Sequence, residues 1–321
     1  MPAAKSVLKI KFVDFWFGFE PENNYFFRLL SISYHVVISE DPILIIHSCY
    51  GSEYLKYRCL RVFYSAENVR PDFTGSDYAI TFDYNSNPRH FRLPLYALYI
   101  DQAGSIAQFT AKKTREMALE IWNSKKKFCC MVVSNGRSKK RLKFYEKLSK
   151  YKPIDSGGKI LNNIGGPVKN KMDFISDYRF VLAFENYSHP GYTTEKLVEP
   201  LLTDSIPIYW GNPLVYKDFN PACFLNLDDA KSDEELIQEI VTVDNNAEKA
   251  VDMLVAARFN NDQIPDDICK ERLSNFFNAI ISSAGTAVPV SLTNQRYLHW
   301  YKIKSSYYLQ RIKGILTRLF R

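Results

Sequence analysis

A lysine in the first turn of a predicted helix is the clearest chemical feature of this sequence. Thr193 or Thr194 can cap the helix, and Lys196 follows in its first turn. A helix N-terminus attracts anions through its free N–H groups, and an ammonium group adds a full positive charge. The combination predicts a site for an anion such as a diphosphate. An exposed lysine on an ordinary helix fits the same spacing.

The segments around Lys196 predict an α/β fold with a parallel sheet. Phe180–Phe184 is a short apolar run typical of a buried strand, and Ile206–Trp210 predicts the next strand along the chain. Strand, loop, helix and strand in this order form one unit of a parallel sheet. Such sheets bind ligands beyond the carboxyl ends of their strands, where Lys196 would lie.

Another predicted strand, loop and helix bring Arg141 to the same edge of the sheet. Phe128–Ser134 is the strand, and Arg141 stands at the start of the helix that follows. We therefore expect Arg141 to bind a diphosphate together with Lys196. A solvated basic turn is the alternative, since three other basic residues lie nearby: Arg137, Lys139 and Lys140.

A glutamate at a further strand end could supply acid–base chemistry. Glu67 closely follows the apolar strand Arg61–Tyr64. A carboxylate in that position could take the proton of an attacking hydroxyl group. The alternative is a structural glutamate that caps a loop.

Several long motifs carry a resemblance to a known enzyme family. In chain order they are VFYSAEN (62–68), DYAITFD (77–83), RLPLYALY (92–99), MVVSN (131–135), DSGGKILNNIGGPVKNK (155–171), FENYSHPGYTTEK (184–196) and IPIYWGNP (206–213). They resemble the α-1,3/4-fucosyltransferases, glycosyltransferase family 10, over about residues 8–230. The overall length and the missing stem indicate the bacterial branch of that family.

The resemblance implies a GT-B fold, in which two Rossmann-like domains face a cleft, with a C-terminal helical tail. We expect an acceptor-binding domain at 1–124, a GDP-fucose-binding domain at 125–290 and a basic amphipathic tail at 291–321. The implied reaction is an inverting transfer of L-fucose from GDP-β-L-fucose to a hydroxyl of an N-acetylglucosamine unit. An α-1,3 linkage is favoured. The alternatives are a transferase of another nucleotide sugar and a non-catalytic glycan- or nucleic-acid-binding protein.

The same resemblance implies roles for individual residues. Glu67 matches the proposed base in the family's Gly-Glu-Asn element, although Ala66 replaces the glycine. Arg141 matches the family's phosphate-binding arginine. The remaining candidates match residues around the fucose, ribose and phosphate of the donor, and they are Asn186, Tyr192, Glu195 and Lys196.

No metal or other cofactor is expected. The chain contains no Asp-x-Asp element, which many sugar-nucleotide transferases use to hold a metal ion, and its five histidines are scattered. Protein cations would then have to neutralise the leaving diphosphate. Arg141 and Lys196 are the residues we expect to do so.

Charge and composition limit the partners and the location. The net charge is +7, and Lys302–Arg321 holds six basic residues and no acid, so a body that coats nucleic acid is not expected. The six cysteines show no C-x-x-C spacing and are expected to be reduced.

We find no signal peptide or membrane-spanning run, which favours a cytoplasmic enzyme. Apolar residues recur at helical spacing in Lys302–Arg321, which predicts either attachment to an anionic membrane surface or docking on the protein itself.

Overall fold

The structure, a computed structural model, describes residues 5–104 and 106–305. It divides into two compact units. The first contains the described residues up to Thr81, the segment Asn85–Arg92, and the described residues from Lys270 onward. The second contains Phe82–Tyr84 and Leu93–Cys269.

The first unit is built on a six-stranded parallel sheet. Its strands in chain order are β1 (Val7–Val13), β2 (His35–Ile38), β3 (Leu44–His47), β4 (Leu60–Ser65), β5 (Tyr78–Thr81) and β6 (His90–Arg92). Their order across the sheet is β2-β1-β3-β4-β5-β6. All residues of β3 and β4 are buried, as expected for the central strands of a covered parallel sheet. Because neighbouring strands are parallel, the loops that follow β1, β3 and β4 leave the same edge.

Helices of the first unit come from both ends of the chain. Helix α1 (Tyr25–Ser31) is capped by the side chain of Asn24, which accepts a hydrogen bond from the backbone of Phe27. The Phe26 ring of α1 packs 6.0 Å from the ring of Phe277, which lies in the later helix α10 (Lys270–Ser283). Residues 295–305 form a further helix.

A five-stranded parallel sheet forms the centre of the second unit. Its strands are β7 (Lys127–Met131), β8 (Ile154–Ser156), β9 (Tyr178–Phe184), β10 (Ile206–Trp210) and β11 (Leu225–Asn226). Their order is β11-β10-β9-β7-β8. The helices around this sheet are α2 (Leu95–Gln102), α3 (Ile106–Thr110), α4 (Arg115–Ser124), α5 (Lys139–Leu148), α6 (Lys171–Ser176), α7 (Glu195–Leu202), α8 (Asp233–Asp244) and α9 (Ala247–Val255). The predicted α/β class with parallel sheets is therefore confirmed.

The two units do not coincide with the predicted domain ranges 1–124 and 125–290. Helix α4 belongs to the second unit, because its Trp122 is buried with the ring 5.8 Å from that of Phe180 in β9. Arg115 of the same helix also forms ion pairs with Glu248 and Asp252 of α9. At the other end, α10 returns to the first unit. Apart from the short segment Phe82–Tyr84, the chain passes from the first unit to the second after Arg92 and returns after Cys269.

The predicted tail lies largely outside the described residues, which end at Ser305. Its described part packs on the first unit through His299, whose ring forms hydrogen bonds with Tyr54 at 2.6 Å and with Asp72 at 3.2 Å. Lys302 adds an ion pair to Asp72 at 3.0 Å. Among the described residues, no helix has the length and hydropathy that a membrane-spanning segment needs. All six cysteines are free thiols.

Candidate functional site

A buried carboxylate organises the loop between β9 and α7. Glu185 directly follows β9 and is 0% exposed. It accepts hydrogen bonds from the backbone N–H of Thr194 at 2.7 Å and from the hydroxyl of the same residue at 2.8 and 2.9 Å. The Thr194 hydroxyl in turn accepts a bond from the Lys196 N–H, so Thr194 is the N-cap of α7, as predicted. Glu185 therefore fixes the position at which the helix begins.

Lys196 lies between two carboxylates in the first turn of α7. Its Nζ is 3.3 Å from Glu185 Oε2 and 3.1 Å from Glu195 Oε1. Burial would lower the pKa of Lys196, but the charges of Glu185 and Glu195 outweigh it and raise the pKa above its usual range. Burial raises the pKa of Glu185, whereas Lys196 and Lys171 overcome the effect of burial on Glu195 and lower its pKa. The ammonium group is thus firmly protonated, in a largely buried position.

Arg141 and Asn186 meet beside this cluster. The guanidinium group is 0% exposed, and its Nη1 donates to the Phe184 carbonyl at 2.9 Å and to Asn186 Oδ1 at 3.2 Å. Its Nη2 donates to the Asn135 carbonyl at 2.6 Å. Burial lowers the pKa of Arg141, opposed by the nearby Glu185, Tyr192 and Glu195. The guanidinium Nε is buried and has no hydrogen-bond partner in the described part of the chain.

The rival basic residues occupy different positions. Arg137 and Lys139 are exposed, and the ammonium of Lys140 lies 5.4 Å from the ring centre of Trp210. Only Arg141 among these four has a hydrogen bond to Asn186 within the described structure. The structure therefore brings Arg141, and not the residues around it in sequence, to the loop after β9.

Tyr192 and Asn212 complete the second unit's site. The buried ring of Tyr192 packs 4.9 Å from the ring of Phe82. Asn212 is 0% exposed, donates to the Thr193 hydroxyl at 3.0 Å and accepts from the Gly191 N–H at 2.7 Å. Sequence reasoning did not identify Asn212 or the role of Glu185. The Gly-Asn-Pro segment after β10 was the available signal.

A glycine allows the close contact that Glu185 needs. A side chain at Gly211 would place its Cβ 2.4 Å from Glu185 Cγ, so the Glu185 side chain would have to move. Gly211 directly follows β10, the strand beside β9. The glycine of the IPIYWGNP motif therefore leaves the space that the buried Glu185 side chain occupies.

Glu67 belongs to the first unit, at the carboxyl edge of its sheet. It follows β4 and is exposed, and its backbone N–H donates to the Ser65 hydroxyl at 3.1 Å. The hydroxyl of Tyr50 donates to Glu67 Oε1 at 3.0 Å. The second oxygen, Oε2, has no hydrogen-bond partner among the described residues. A carboxylate held on one side and open on the other can accept a proton from a bound hydroxyl group.

No cluster of three or more histidine, cysteine, aspartate or glutamate side chains suited to a metal ion occurs in residues 5–104 and 106–305. The expectation that no metal is needed stays a prediction. The roles of Glu67, Arg141, Asn186, Tyr192, Glu195 and Lys196 likewise stay predictions, since geometry alone does not test them.

Comparison with known proteins identifies relatives for both units. Residues 10–99 match the family described as Alpha-(1,3)-fucosyltransferase FucT N-terminal domain, and residues 122–253 match Glycosyltransferase family 10 (fucosyltransferase) C-term. The Alpha-(1,3)-fucosyltransferase FucT of Helicobacter pylori is 34% identical over an alignment that covers 78% of this chain and 61% of that protein. The human 4-galactosyl-N-acetylglucosaminide 3-alpha-L-fucosyltransferase 9 is 35% identical over 43% of this chain and 39% of its own length. This chain thus spans less than two thirds of either relative.

Solved structures match most of the chain. A crystal structure of an alpha1,3-fucosyltransferase with GDP is 28% identical and covers 90% of this chain and 93% of that one, with a TM-score of 0.74. The same kind of enzyme with GDP-fucose gives a TM-score of 0.72 at 28% identity, covering 90% and 94% of the two chains. These matches confirm the predicted GT-B fold class. With two family matches that together cover more than half of its residues, this chain belongs to glycosyltransferase family 10, the fucosyltransferases.

Proposed function

We propose that this protein is an inverting α-1,3-fucosyltransferase that uses GDP-β-L-fucose as its donor. The observation that carries the proposal is the placement of two basic side chains, Lys196 and Arg141, close to the same loop at the carboxyl ends of β7, β9 and β10. Such an edge of a parallel sheet is where nucleotides bind. Relatives whose structures contain GDP and GDP-fucose support the choice of donor.

The proposed reaction is a single displacement at the anomeric carbon of fucose. The oxygen of an acceptor hydroxyl attacks this carbon while Glu67 takes the hydroxyl proton. The bond from the anomeric carbon to the diphosphate oxygen breaks on the opposite face, and GDP leaves with the electron pair. Inversion of the β-linked donor gives an α-linked product.

The donor-binding roles divide among five residues. Lys196 and the first turn of α7 would contact the diphosphate, because an ammonium group and free helix N–H groups both favour negative charge. Arg141 would add positive charge near the diphosphate. Its hydrogen bond to Asn186 Oδ1 at 3.2 Å would hold Asn186 toward the donor. Tyr192 can donate a hydrogen bond to a phosphate oxygen, and Glu195 can accept bonds from sugar hydroxyls.

We also propose that the leaving diphosphate is neutralised by these protein cations without a metal ion or other cofactor. Two features of the chain support this: the Asp-x-Asp element is missing from its sequence, and Lys196 is held protonated by two carboxylates. Two cations near a diphosphate can supply the charge stabilisation that a metal would give.

The proposed acceptor is an N-acetyllactosamine-type glycan, with fucose added to the N-acetylglucosamine unit. The name of the human relative, a 4-galactosyl-N-acetylglucosaminide 3-alpha-L-fucosyltransferase, supports this acceptor class and the α-1,3 linkage. We propose further that the enzyme is cytoplasmic and attaches peripherally to an anionic membrane surface. The basic and apolar pattern of Lys302–Arg321 supports the attachment.

A donor and acceptor screen tests the proposal. The purified protein should transfer fucose from GDP-fucose to N-acetyllactosamine, and linkage analysis should give an α-1,3 product. Higher turnover with another nucleotide sugar would replace the donor assignment. Glycan binding without transfer of any sugar would indicate the non-catalytic alternative.

A further inference from the structure

Three loops leave the same edge of the first unit's sheet, and two of them carry an exposed aromatic residue while the third carries Glu67. Strands β1, β3 and β4 are neighbours and parallel, so the loops after Val13, His47 and Ser65 emerge side by side. The first loop carries Trp16, the second Tyr50 and the third Glu67. Trp16 and Tyr50 are exposed aromatic residues, and Tyr50 contacts Glu67, the candidate catalytic base.

Trp16 is exposed but held in place by other rings. It is 46% exposed, and its ring meets Phe19 edge-on with ring centres 5.2 Å apart and an interplanar angle of 87°. Phe15 packs 5.6 Å from Trp16 and stacks on Phe19 at 4.0 Å. Phe12, which is buried, contacts both Phe15 and Phe19. The Trp16 indole therefore packs against a cluster of aromatic rings, and these contacts limit its motion.

Tyr50 contacts both the indole of Trp16 and the carboxylate of Glu67. Its ring is 51% exposed and stands edge-on to Trp16, with ring centres 6.5 Å apart. Its hydroxyl donates to Glu67 Oε1 at 3.0 Å. Burial, the Glu67 charge and this hydrogen bond raise the pKa of Tyr50 above its usual range, so the phenol remains a donor at neutral pH.

Backbone contacts lock the first two loops together. Asp14 has a positive φ of 60°, and its carboxylate accepts from the N–H groups of Glu53 and Tyr54, each at 2.8 Å. The Asp14 carbonyl accepts from the Tyr50 N–H at 3.0 Å. A side chain at Gly51 would place its Cβ 2.2 Å from Asp14 Oδ1 and would displace this carboxylate from its present position. Loops that are already held in position lose less conformational entropy when a ligand binds to them.

We propose that Trp16 and Tyr50 form an acceptor subsite that takes the apolar face of one pyranose ring of the acceptor glycan beside Glu67. This inference rests on the proposed function and adds the residues that select the acceptor. A pyranose presents C–H groups on one face and hydroxyls at its rim, and aromatic side chains with a polar tip match both. The open Glu67 Oε2 then faces a hydroxyl at the rim of the bound sugar.

The test compares two exposed tryptophans of the first unit. Trp16→Ala should raise the KM for N-acetyllactosamine about tenfold, the size expected for one lost aromatic contact, at saturating GDP-fucose. Trp300→Ala is the matched control, because Trp300 is 53% exposed on the helix at 295–305, and its KM should equal that of the parent. GDP affinity, measured by calorimetry, should be the same in all three proteins. Trp16→Phe should restore most of the acceptor affinity.

Further measurements separate this inference from the proposed function. Saturation-transfer NMR with N-acetyllactosamine alone reports glycan binding without any reaction. If the parent binds glycan through Trp16 but transfers no fucose, the subsite stands and the proposed function fails. If the parent transfers fucose and Trp16→Ala keeps the parental KM, the subsite is wrong. Should Trp16→Ala fail to fold, Trp16→Leu keeps apolar packing on Phe15 and Phe19 and carries the same expectation.

Discussion

Removing the Lys196 ammonium should produce two separable losses. The first is a weaker contact with the diphosphate of GDP, by about 1–3 kcal/mol for a charge-assisted hydrogen bond. The second is a loss of stability, because Glu185 is 0% exposed and Lys196 Nζ is the cation 3.3 Å from its carboxylate. Breaking a buried ion pair by deleting one partner costs about 3–5 kcal/mol. Lys196→Ala should therefore unfold at clearly lower urea concentration and bind GDP more weakly.

The loss of stability should depend on pH in a defined direction. Burial already raises the pKa of Glu185 above 4.5, its value as a free glutamate, and removing Lys196 deletes the charge that opposes this. A raised folded-state pKa means that the folded protein prefers the protonated carboxyl. Stability is then greatest below the unfolded pKa and is lost as the pH rises through the folded pKa. Lys196→Ala should be destabilised less at pH 5 than at pH 8.

Urea unfolding and calorimetry with GDP measure both effects. The double variant Lys196→Ala with Glu185→Gln should recover stability relative to Lys196→Ala and lose its extra pH dependence, but it should still bind GDP weakly. Lys231→Ala, which removes an exposed lysine of the same unit, is the control and should behave as the parent. If Lys196→Ala is as stable as Lys231→Ala at pH 8, the buried ion pair does not have the role assigned to it here.

Four further predictions concern the proposed mechanism and the tail. Glu67→Gln should lower turnover by about two orders of magnitude with little change in GDP affinity, as single-turnover assays and calorimetry would report. Arg141→Ala should weaken GDP binding by about 1–3 kcal/mol, since a buried cation is lost, and unchanged affinity would contradict its role. EDTA should leave activity largely intact, and complete loss restored by manganese would overturn the metal-free reaction. The full-length protein should sediment with anionic liposomes at low salt, whereas a chain that ends at Ser305, which keeps the contacts of His299 and Lys302, should stay in the supernatant and remain active. Equal sedimentation of the two proteins would contradict attachment through the tail.

Strands marked by a continuous apolar run were predictable, and strands of two or three residues were not. The prediction for Ile206–Trp210 matches β10 at both ends, and the predicted strand Phe180–Phe184 lies within β9. No strand was predicted at Ile154–Ser156, which forms β8. Strands of two or three residues, such as β8 and β11, form by pairing with a neighbour and leave no period in the sequence. Helix α7 continues through Pro200 and ends at Leu202, although the proline removes one hydrogen bond inside the helix.

The site was predictable where a motif marks it and not where tertiary contacts define it. Lys196 follows a capping threonine, which the sequence displays. The bond from Tyr50 to Glu67 joins residues 17 apart and exists because β3 and β4 are neighbours, which no local pattern states. The predicted domain ranges differ from the two compact units for the same reason, since tertiary contacts of Trp122 and Arg115 place α4 in the second unit.

The contrasting environments of Glu185 and Glu67 explain why the two carboxylates cannot exchange roles. Glu185 already accepts three hydrogen bonds from Thr194 and lies 3.3 Å from an ammonium group, so a substrate proton would find no open oxygen there. Glu67 is exposed, and one oxygen is fixed by Tyr50 while the other is open within the described structure. A base must reach the proton that it removes, which Glu67 can do and Glu185 cannot. Glu185→Gln should therefore affect stability and GDP affinity before it affects the chemical step, and Glu67→Gln should do the opposite. A chemical step that slows equally in both variants, with GDP saturating and both proteins folded, would refute this division.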